Sequence, residues 1–254
     1  MIPMKNLTRY IPNTLTCISL LFGFYAAIAG ITGQYFVAMM AILLASVFDF
    51  CDGLAARLLK AYSAMGKELD SLADMISFGV APGMMLFGYL DHILHSLSWH
   101  TSLVCKSFLL VAFIVPVFSG LRLAKFNIDE RQKSSFLGLP VPAHAILWSS
   151  LIVVMSNDVH ATLCVFPQVV GLLTAIPPVV LLIVISVLVV LTSFLLVSEI
   201  PMFSLKITSF AWKANQVPAL FLCSGIVLIL LFGITGIAAT IMLYIFIGLL
   251  AKRT

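Results

Sequence analysis

Apolar stretches of membrane-spanning length recur along this chain, near residues 13–31, 34–56, 71–90, 103–121, 139–157, 169–198, 218–233 and 237–251. A helix needs roughly 20 apolar residues to cross a bilayer, and within lipid the backbone meets its own hydrogen-bonding needs only as a helix or a closed barrel. Runs this long and continuous predict helices. The expected fold is therefore an all-α integral membrane protein, a polytopic bundle of eight transmembrane helices. With 62% hydrophobic and 9% charged residues, the chain lies far from soluble domains, which carry about a quarter charged residues. The last pair of stretches is the least well marked, since only "GITG" separates two runs that are each slightly short.

The cations predict an orientation. Lys5, Arg9, Arg57, Lys60, Lys67, Arg122, Lys125, Arg131, Lys133, Lys206, Lys213, Lys252 and Arg253 fall at the termini or in alternate loops, and Lys106 alone flanks the other side. By the positive-inside rule both termini are expected in the cytoplasm. The net charge of +4 then reads as a topology signal and an attraction for anionic lipid headgroups, not as a nucleic-acid footprint. A secretory signal is the alternative for the first stretch, but no soluble mature domain follows it. The five cysteines have no CxxC spacing and the five histidines no metal-ligand spacing, so neither set predicts a metal site.

One stretch breaks the apolar pattern. "VFDFCDGLAARLLKAYSAMGKELDSLADMISFG", residues 47–79, carries Asp49, Asp52, Arg57, Asp70 and Asp74. Ionised groups near a bilayer cost a few kcal/mol each at least, so their concentration here points to chemistry. Asp49 and Asp52 share one face near the end of the second helix, and Asp70 and Asp74 share one face at the start of the third. A short turn makes these helices antiparallel neighbours, so the carboxylates are expected to converge and to need a cation. Oxygen-only ligands favour a hard divalent ion, magnesium, manganese or calcium. Two ions bridged by carboxylates would suit displacement at phosphorus. Gly53 and Ala56 leave backbone bare for a flat or bulky ligand, and Arg57 can meet phosphate. The alternative for these three is close helix packing and an inside-positive anchor.

The segment fits the pattern DxxDGxxARx8GxxxDxxxD at all eight defining positions, Asp49, Asp52, Gly53, Ala56, Arg57, Gly66, Asp70 and Asp74. In this it resembles the CDP-alcohol phosphatidyltransferases. The resemblance implies a membrane enzyme with six core helices, a homodimer, that moves a phosphatidyl group from a CDP-linked lipid to an alcohol and releases CMP. It implies that Asp49, Asp52, Asp70 and Asp74 share divalent metal binding, with magnesium or manganese as cofactor. Asp74 is the implied catalytic base, Gly53, Ala56 and Gly66 belong to the nucleotide-lipid site, and Arg57 supports the nucleotide end. Asn13 and Thr16, three apart near the start of the first helix, are candidates for the diphosphate, or form a helix-start turn around Pro12.

"RYIPNTLT", "SGLRLAKFN", "FLGLPVPAHA" and "VSEIPMFSLK" further resemble the phosphatidylserine synthase branch of that family. This implies CDP-diacylglycerol and L-serine as substrates, with Arg122, Lys125 and Asn127 as candidates for serine binding. Each has a plainer alternative, a topology anchor for the two cations and a helix cap for Asn127. Residues 1–206 then form the transferase domain and residues 207–254 a two-helix membrane extension with no implied chemistry. His144 reads as a packed histidine, Lys206 as a solvated anchor, and Glu68 points away from the site. Rival readings are another acceptor, glycerol 3-phosphate or inositol, an archaeal ether lipid, and an ion-coupled transporter. The last is disfavoured because the carboxylates lie at helix ends and no inverted repeat is visible.

Overall fold

The computed structural model describes residues 4–97, 102–128, 136–156, 175–202 and 212–251. Its elements are α1 (Met4–Ile31), α2 (Tyr35–Leu58), α3 (Ala64–Asp74), a π-helical segment (Met75–Val80), α4 (Ala81–His95), α5 (Leu103–Leu109), a 3-10 turn (Leu110–Phe113), α6 (Ile114–Ile128), β1 (Phe136–Leu137), α7 (Val141–Ser156), α8 (Pro178–Val197), β2 (Pro201–Met202), α9 (Trp212–Phe232) and α10 (Ile234–Ala251). α3, the π segment and α4 run on as one rod, Ala64–His95, and α5, the 3-10 turn and α6 as another. Among the described residues, each apolar stretch thus lies largely on a helical rod. Five rods are long and apolar enough to cross a membrane, and Val141–Ser156, Pro218–Phe232 and Ile234–Leu250 are shorter apolar helices. The chain is a helical integral membrane bundle.

Three boundaries differ from the hydropathy reading. α1 begins at Met4, with Pro12 inside the helix, so Asn13 and Thr16 lie well within it and form no start-turn. α3 begins at Ala64, which puts Asp70 and Asp74 in its second and third turns and not at its start. α6 runs on to Ile128. The extra turns of α3 and α6 carry Lys67, Glu68, Asp70, Arg122, Lys125 and Asn127, and a count of apolar residues does not register them. The predicted 169–198 span corresponds to α8; its first residues, like Lys206, the 157–168 loop and Arg131 and Lys133, lie outside the described residues.

α2 closes with a Schellman pattern: the Ala61 N–H donates to Ala56 O at 2.9 Å and the Lys60 N–H to Arg57 O at 3.3 Å, with Lys60 at φ 50° in the left-handed region. Ser63 then caps α3, its Oγ accepting the Gly66 N–H at 2.9 Å. This tight return brings carboxylates of α2 and α3 together. α1 is the post that both pack against, together with α4. The approach is close because the α1 residues are small: a Cβ on Gly23 would strike Ser77, and one on Gly30 would strike Met85. Polar ties cross the same interfaces, from Ser19 Oγ to Ala45 O at 2.9 Å and from Ser77 Oγ to Ser19 O at 3.1 Å.

α7 fills the middle of the bundle, with Trp148 and Ile152 buried. His144 is fully buried, its Nε2 3.1 Å from Thr192 Oγ1 on α8, and Trp148 Nε1 donates to the same oxygen at 3.0 Å. It is a packed histidine, as the sequence suggests. β1 and β2 pair antiparallel, Phe136 with Met202 and Leu137 with Pro201. Gly138, at φ 77°, fits a place where a Cβ would run into the Leu196 and Ser198 carbonyls, so the segment leading into α7 is stitched to the end of α8. Leu21, Phe24, Leu191, Phe194 and Leu230 are all more than half exposed, as expected for faces turned to acyl chains.

Candidate active site

The sequence alone asks for four convergent carboxylates. Three of them meet: Asp49 on α2 and Asp70 and Asp74 on α3 each offer an oxygen, and these oxygens all lie within 4.8 Å of one another. Three negative charges at that spacing repel by roughly 3.5 kcal/mol per pair at an effective dielectric of about 20. Asp74 Oδ1 is buried with no hydrogen-bond partner. An all-oxygen donor set with an unsatisfied buried oxygen fits a hard divalent cation. Asp52 stands beside this group and not in it. It is buried, and its Oδ2 accepts the Thr16 hydroxyl at 2.6 Å.

The winding of the third rod helps to aim the group. The π segment starts at the residue after Asp74, and such wide turns within α-helices occur frequently at functional sites. Ser77 and Phe78, just beyond, are fully buried against neighbouring helices, so the acidic face of α3 is held by the packing of the turn that follows it.

A cavity of about 540 Å³ opens beside the carboxylates. Asp49, Asp52, Gly53, Ala56, Arg57, Gly66 and Asp70 line it, as do Asn13 and Thr16 from α1. The motif and the start of α1 therefore share one space. Arg57 is exposed at its rim, with Nε donating to Gly53 O at 3.1 Å. The two motif glycines differ in kind. A Cβ on Gly53 would meet nothing within 4 Å, whereas one on Gly66 would come 2.9 Å from Ser63 Oγ and 3.0 Å from Asn13 Oδ1. A side chain at Gly66 would press on Ser63 and Asn13, whereas Gly53 leaves room for one.

That distinction gives a prediction. Gly53→Ala is expected to leave the fold intact and to raise stability by about 0.5–1 kcal/mol, the ordinary gain of alanine over glycine within a helix. At the same time it narrows the cavity. The checks are the thermal midpoint, which should not fall, and the KM for the nucleotide substrate, which should rise several-fold.

Phe50, Tyr62, Ser63, Lys67 and Phe126 also line the cavity, and the sequence reading missed them. Lys67 and Ser63 flank Gly66 within the motif's variable spacer, so only their closeness to defining positions could have marked them. Phe126 comes from α6, and nothing in the sequence brings it here. The three serine candidates are placed differently from one another. Arg122 is 4% exposed, with Nε buried and unpartnered and the guanidinium 5.1 Å from the centre of the Phe126 ring. Lys125 reaches away to α8 and its exit, donating to Val197 O at 3.2 Å and pairing with Glu199 at 3.7 Å. Asn127 Nδ2 donates to Ser71 Oγ at 3.0 Å, tying α6 to the acidic helix. Glu68 is exposed and lies outside the cavity lining.

A family model for CDP-alcohol phosphatidyltransferases matches residues 9–175, a span that contains every cavity residue named here. The chain belongs to the CDP-alcohol phosphatidyltransferase family. Among curated relatives of this transferase, a CDP-diacylglycerol–serine O-phosphatidyltransferase of Bacillus subtilis is 35% identical over 134 residues, 53% of this chain and 70% of that protein. One of Helicobacter pylori is 32% identical over 151 residues, 59% of each chain. An archaetidylserine synthase of Methanothermobacter thermautotrophicus is 31% identical over 156 residues, 58% of this chain and 60% of that protein. The matched region is thus a little over half of this transferase and about three-fifths to seven-tenths of these relatives. The lipid in their names differs, and serine is common to them.

Proposed function

We propose that this transferase moves the phosphatidyl group of CDP-diacylglycerol to the hydroxyl of L-serine, yielding phosphatidylserine and CMP. The observation that carries this is the meeting of Asp49, Asp70 and Asp74 beside a cavity lined by the family motif, in a chain whose curated relatives are named for serine.

The lipid tails lie between helices in the membrane, and the nucleotide enters the cavity against the bare backbone of Gly53 and Ala56. Arg57 and Lys67 meet phosphate charge at its rim. Asp49, Asp70 and Asp74 hold magnesium or manganese, with Asp52 available for a second ion; when bound, the metal neutralises the diphosphate and supports the leaving CMP. Thr16 fixes the direction of Asp52. Asp74 Oδ1, buried and otherwise unpartnered, takes the proton from the serine hydroxyl. The serine oxygen bonds to the phosphorus bearing diacylglycerol, and the bond from that phosphorus to the bridging oxygen breaks, the electron pair leaving with CMP. Serine's hydroxyl is far too weak an acid to ionise unaided near neutrality, so a positioned base is needed. Arg122, the one buried cation of the three candidates, receives the serine carboxylate. Lys125 and Asn127 hold the walls around it.

The test is an acceptor panel: purified protein, CDP-diacylglycerol, and labelled serine, glycerol 3-phosphate or inositol. Serine incorporation with matching CMP release is the expected result, and incorporation of a phosphorylated or cyclic polyol in its place would overturn the assignment. A homodimer, implied by the family resemblance, is checked by crosslinking in native membranes.

The site faces the cytoplasm in this reading, with both termini on that side, because the described cations Arg57, Lys60, Lys67 and Lys125 cluster at one end of the bundle. A cysteine at Met65, which is 71% exposed at that end, is expected to resist an impermeant thiol reagent added to intact cells. One at Ser96, at the other end of the same rod, should react. Both belong in a background without native cysteines, and the reverse pattern would invert the topology.

A further inference from the structure

The last two helices, α9 and α10, lie beyond the family-model match, which ends at residue 175. They form a close hairpin: a Cβ on Gly225 would come 2.9 Å from Thr240 Cγ2, and the Phe221 and Tyr244 ring centres lie 5.7 Å apart. α10 in turn packs along α7 and reaches β2, where a Cβ on Gly248 would collide with the Met202 side chain. α8 packs on α6 and α7, yet among the described residues α8 and α9 share no packed seam. The gap holds a second cavity, of about 1000 Å³, with Leu147 of α7, Leu195 of α8, Val227 of α9 and Met242 of α10 in its walls. It shares no lining residue with the cavity beside the carboxylates.

Its lining is aliphatic and aromatic but for Thr192, Cys223 and Ser224. Both hydroxyls are engaged within their own helices, Thr192 Oγ1 donating to Leu188 O and Ser224 Oγ to Phe221 O, each at 2.8 Å. Water needs several polar partners to stay in such a space, and a void forfeits dispersion contacts along its walls. The lining therefore asks for an apolar occupant. Length and depth select which one. The α10 part of the lining runs from Ala239 to Leu249, about 15 Å at 1.5 Å per residue, which is half of a hydrocarbon core of about 30 Å. One end lies at the membrane interface, since Leu195 and Leu249 stand just short of the ends of α8 and α10. That interface is the one on the carboxylate side, because Lys125 of α6 bonds the end of α8 and Asn127 of α6 bonds Ser71 of α3. Leu220, Val227, Met242 and Phe246 are each more than half exposed, so the trough opens sideways and continues the surface turned to acyl chains.

We propose that this trough is a resident-lipid site: it holds one acyl chain of a diacyl phospholipid from the leaflet on the carboxylate side, separate from the CDP-linked substrate. The chain supplies the packing that α8 and α9 do not give each other. The proposal stands apart from the choice of serine as acceptor. To test it, the full-length protein is placed in vesicles of phosphatidylglycerol containing a little phosphatidylglycerol with a diazirine halfway along one chain. After illumination, the labelled residues are mapped by mass spectrometry. Label is expected on the trough residues Ser224, Val227, Met242 and Phe246 about tenfold above that on the lipid-facing residues Leu21 and Phe24, a preference of about 1.4 kcal/mol. Excess CDP-diacylglycerol leaves that label in place.

Ser224→Phe combined with Ala239→Phe fills the trough from two walls. In this variant the enrichment falls to the level of Leu21 and Phe24, while the KM for CDP-diacylglycerol stays within about twofold of the parent, a change of about 0.4 kcal/mol. In detergent, added phosphatidylglycerol raises the thermal midpoint of the parent and not of the variant. Even labelling of trough and outer faces in the parent would reduce the trough to ordinary lipid-facing surface and overturn the proposal; that map is read on the parent, so it decides even where the variant fails to fold. Displacement of the label by CDP-diacylglycerol would give the trough to the substrate. Loss of a dimer crosslink in the variant, with labelling unchanged, would give it to a second copy of the chain. Each of these overturns the resident lipid and leaves the reading of the carboxylate site standing.

Discussion

Asp74→Asn is expected to lower kcat by about 10²–10⁴-fold, the range for loss of a positioned general base, while the KM values for CDP-diacylglycerol and serine move little. The substitution keeps the size of the side chain and removes its capacity to take a proton. Its oxygen sits among two other carboxylates within 4.8 Å, so the same change also removes like-charge repulsion. Without divalent ions the variant should therefore melt at a higher temperature than the parent. Loss of turnover with a gain in metal-free stability is a combination that simple misfolding does not produce. Steady-state kinetics and thermal melts on one preparation decide it. Near-normal kcat, or a lower metal-free midpoint, would remove Asp74 from the role given to it.

Divalent-ion removal is expected to have the larger effect still. Excess chelator should abolish turnover, and magnesium or manganese should restore it. Binding to the folded state alone stabilises by mass action, about 2.7 kcal/mol at a hundredfold excess over Kd, so the metal should also raise the thermal midpoint in the absence of any substrate. That second readout does not depend on activity. Asp49→Asn or Asp70→Asn should weaken it strongly. Asp52→Asn should weaken it less, because Asp52 is engaged by Thr16 and stands outside the three-carboxylate group. Full turnover in chelator would contradict the metal reading.

Much of this was legible in the sequence because lipid leaves a chain few choices. Long apolar runs must be helices, and among the described residues each predicted span lies largely on a helical rod. The acidic motif was legible for a second reason: aspartates three and four apart on two neighbouring helices can hardly avoid meeting. Periodicity cannot say which of four carboxylates meet and which stands aside, since that depends on Thr16 of α1 reaching Asp52 across the helix interface. Nor could hydropathy find the first turns of α1 and α3, because their charged and polar residues lower the signal that marks a span. The three acceptor candidates all sit on the last turns of one helix, and the sequence, which favours Arg122, does not say which of them is buried. Only the packing of α8 separates them, by taking up Lys125 and leaving Arg122 buried.

Single displacement of CMP by serine at this carboxylate centre is tested most directly by the stereochemistry at phosphorus. CDP-diacylglycerol made chiral at the phosphorus that bears diacylglycerol is incubated with serine and the parent protein, and the configuration of the phosphatidylserine formed is read. One in-line attack by the serine oxygen, with Asp74 taking its proton, predicts inversion. Net retention, or phosphatidyl label held covalently on the protein after CMP has left, would show two displacements through an enzyme nucleophile and would contradict the direct attack proposed for this site.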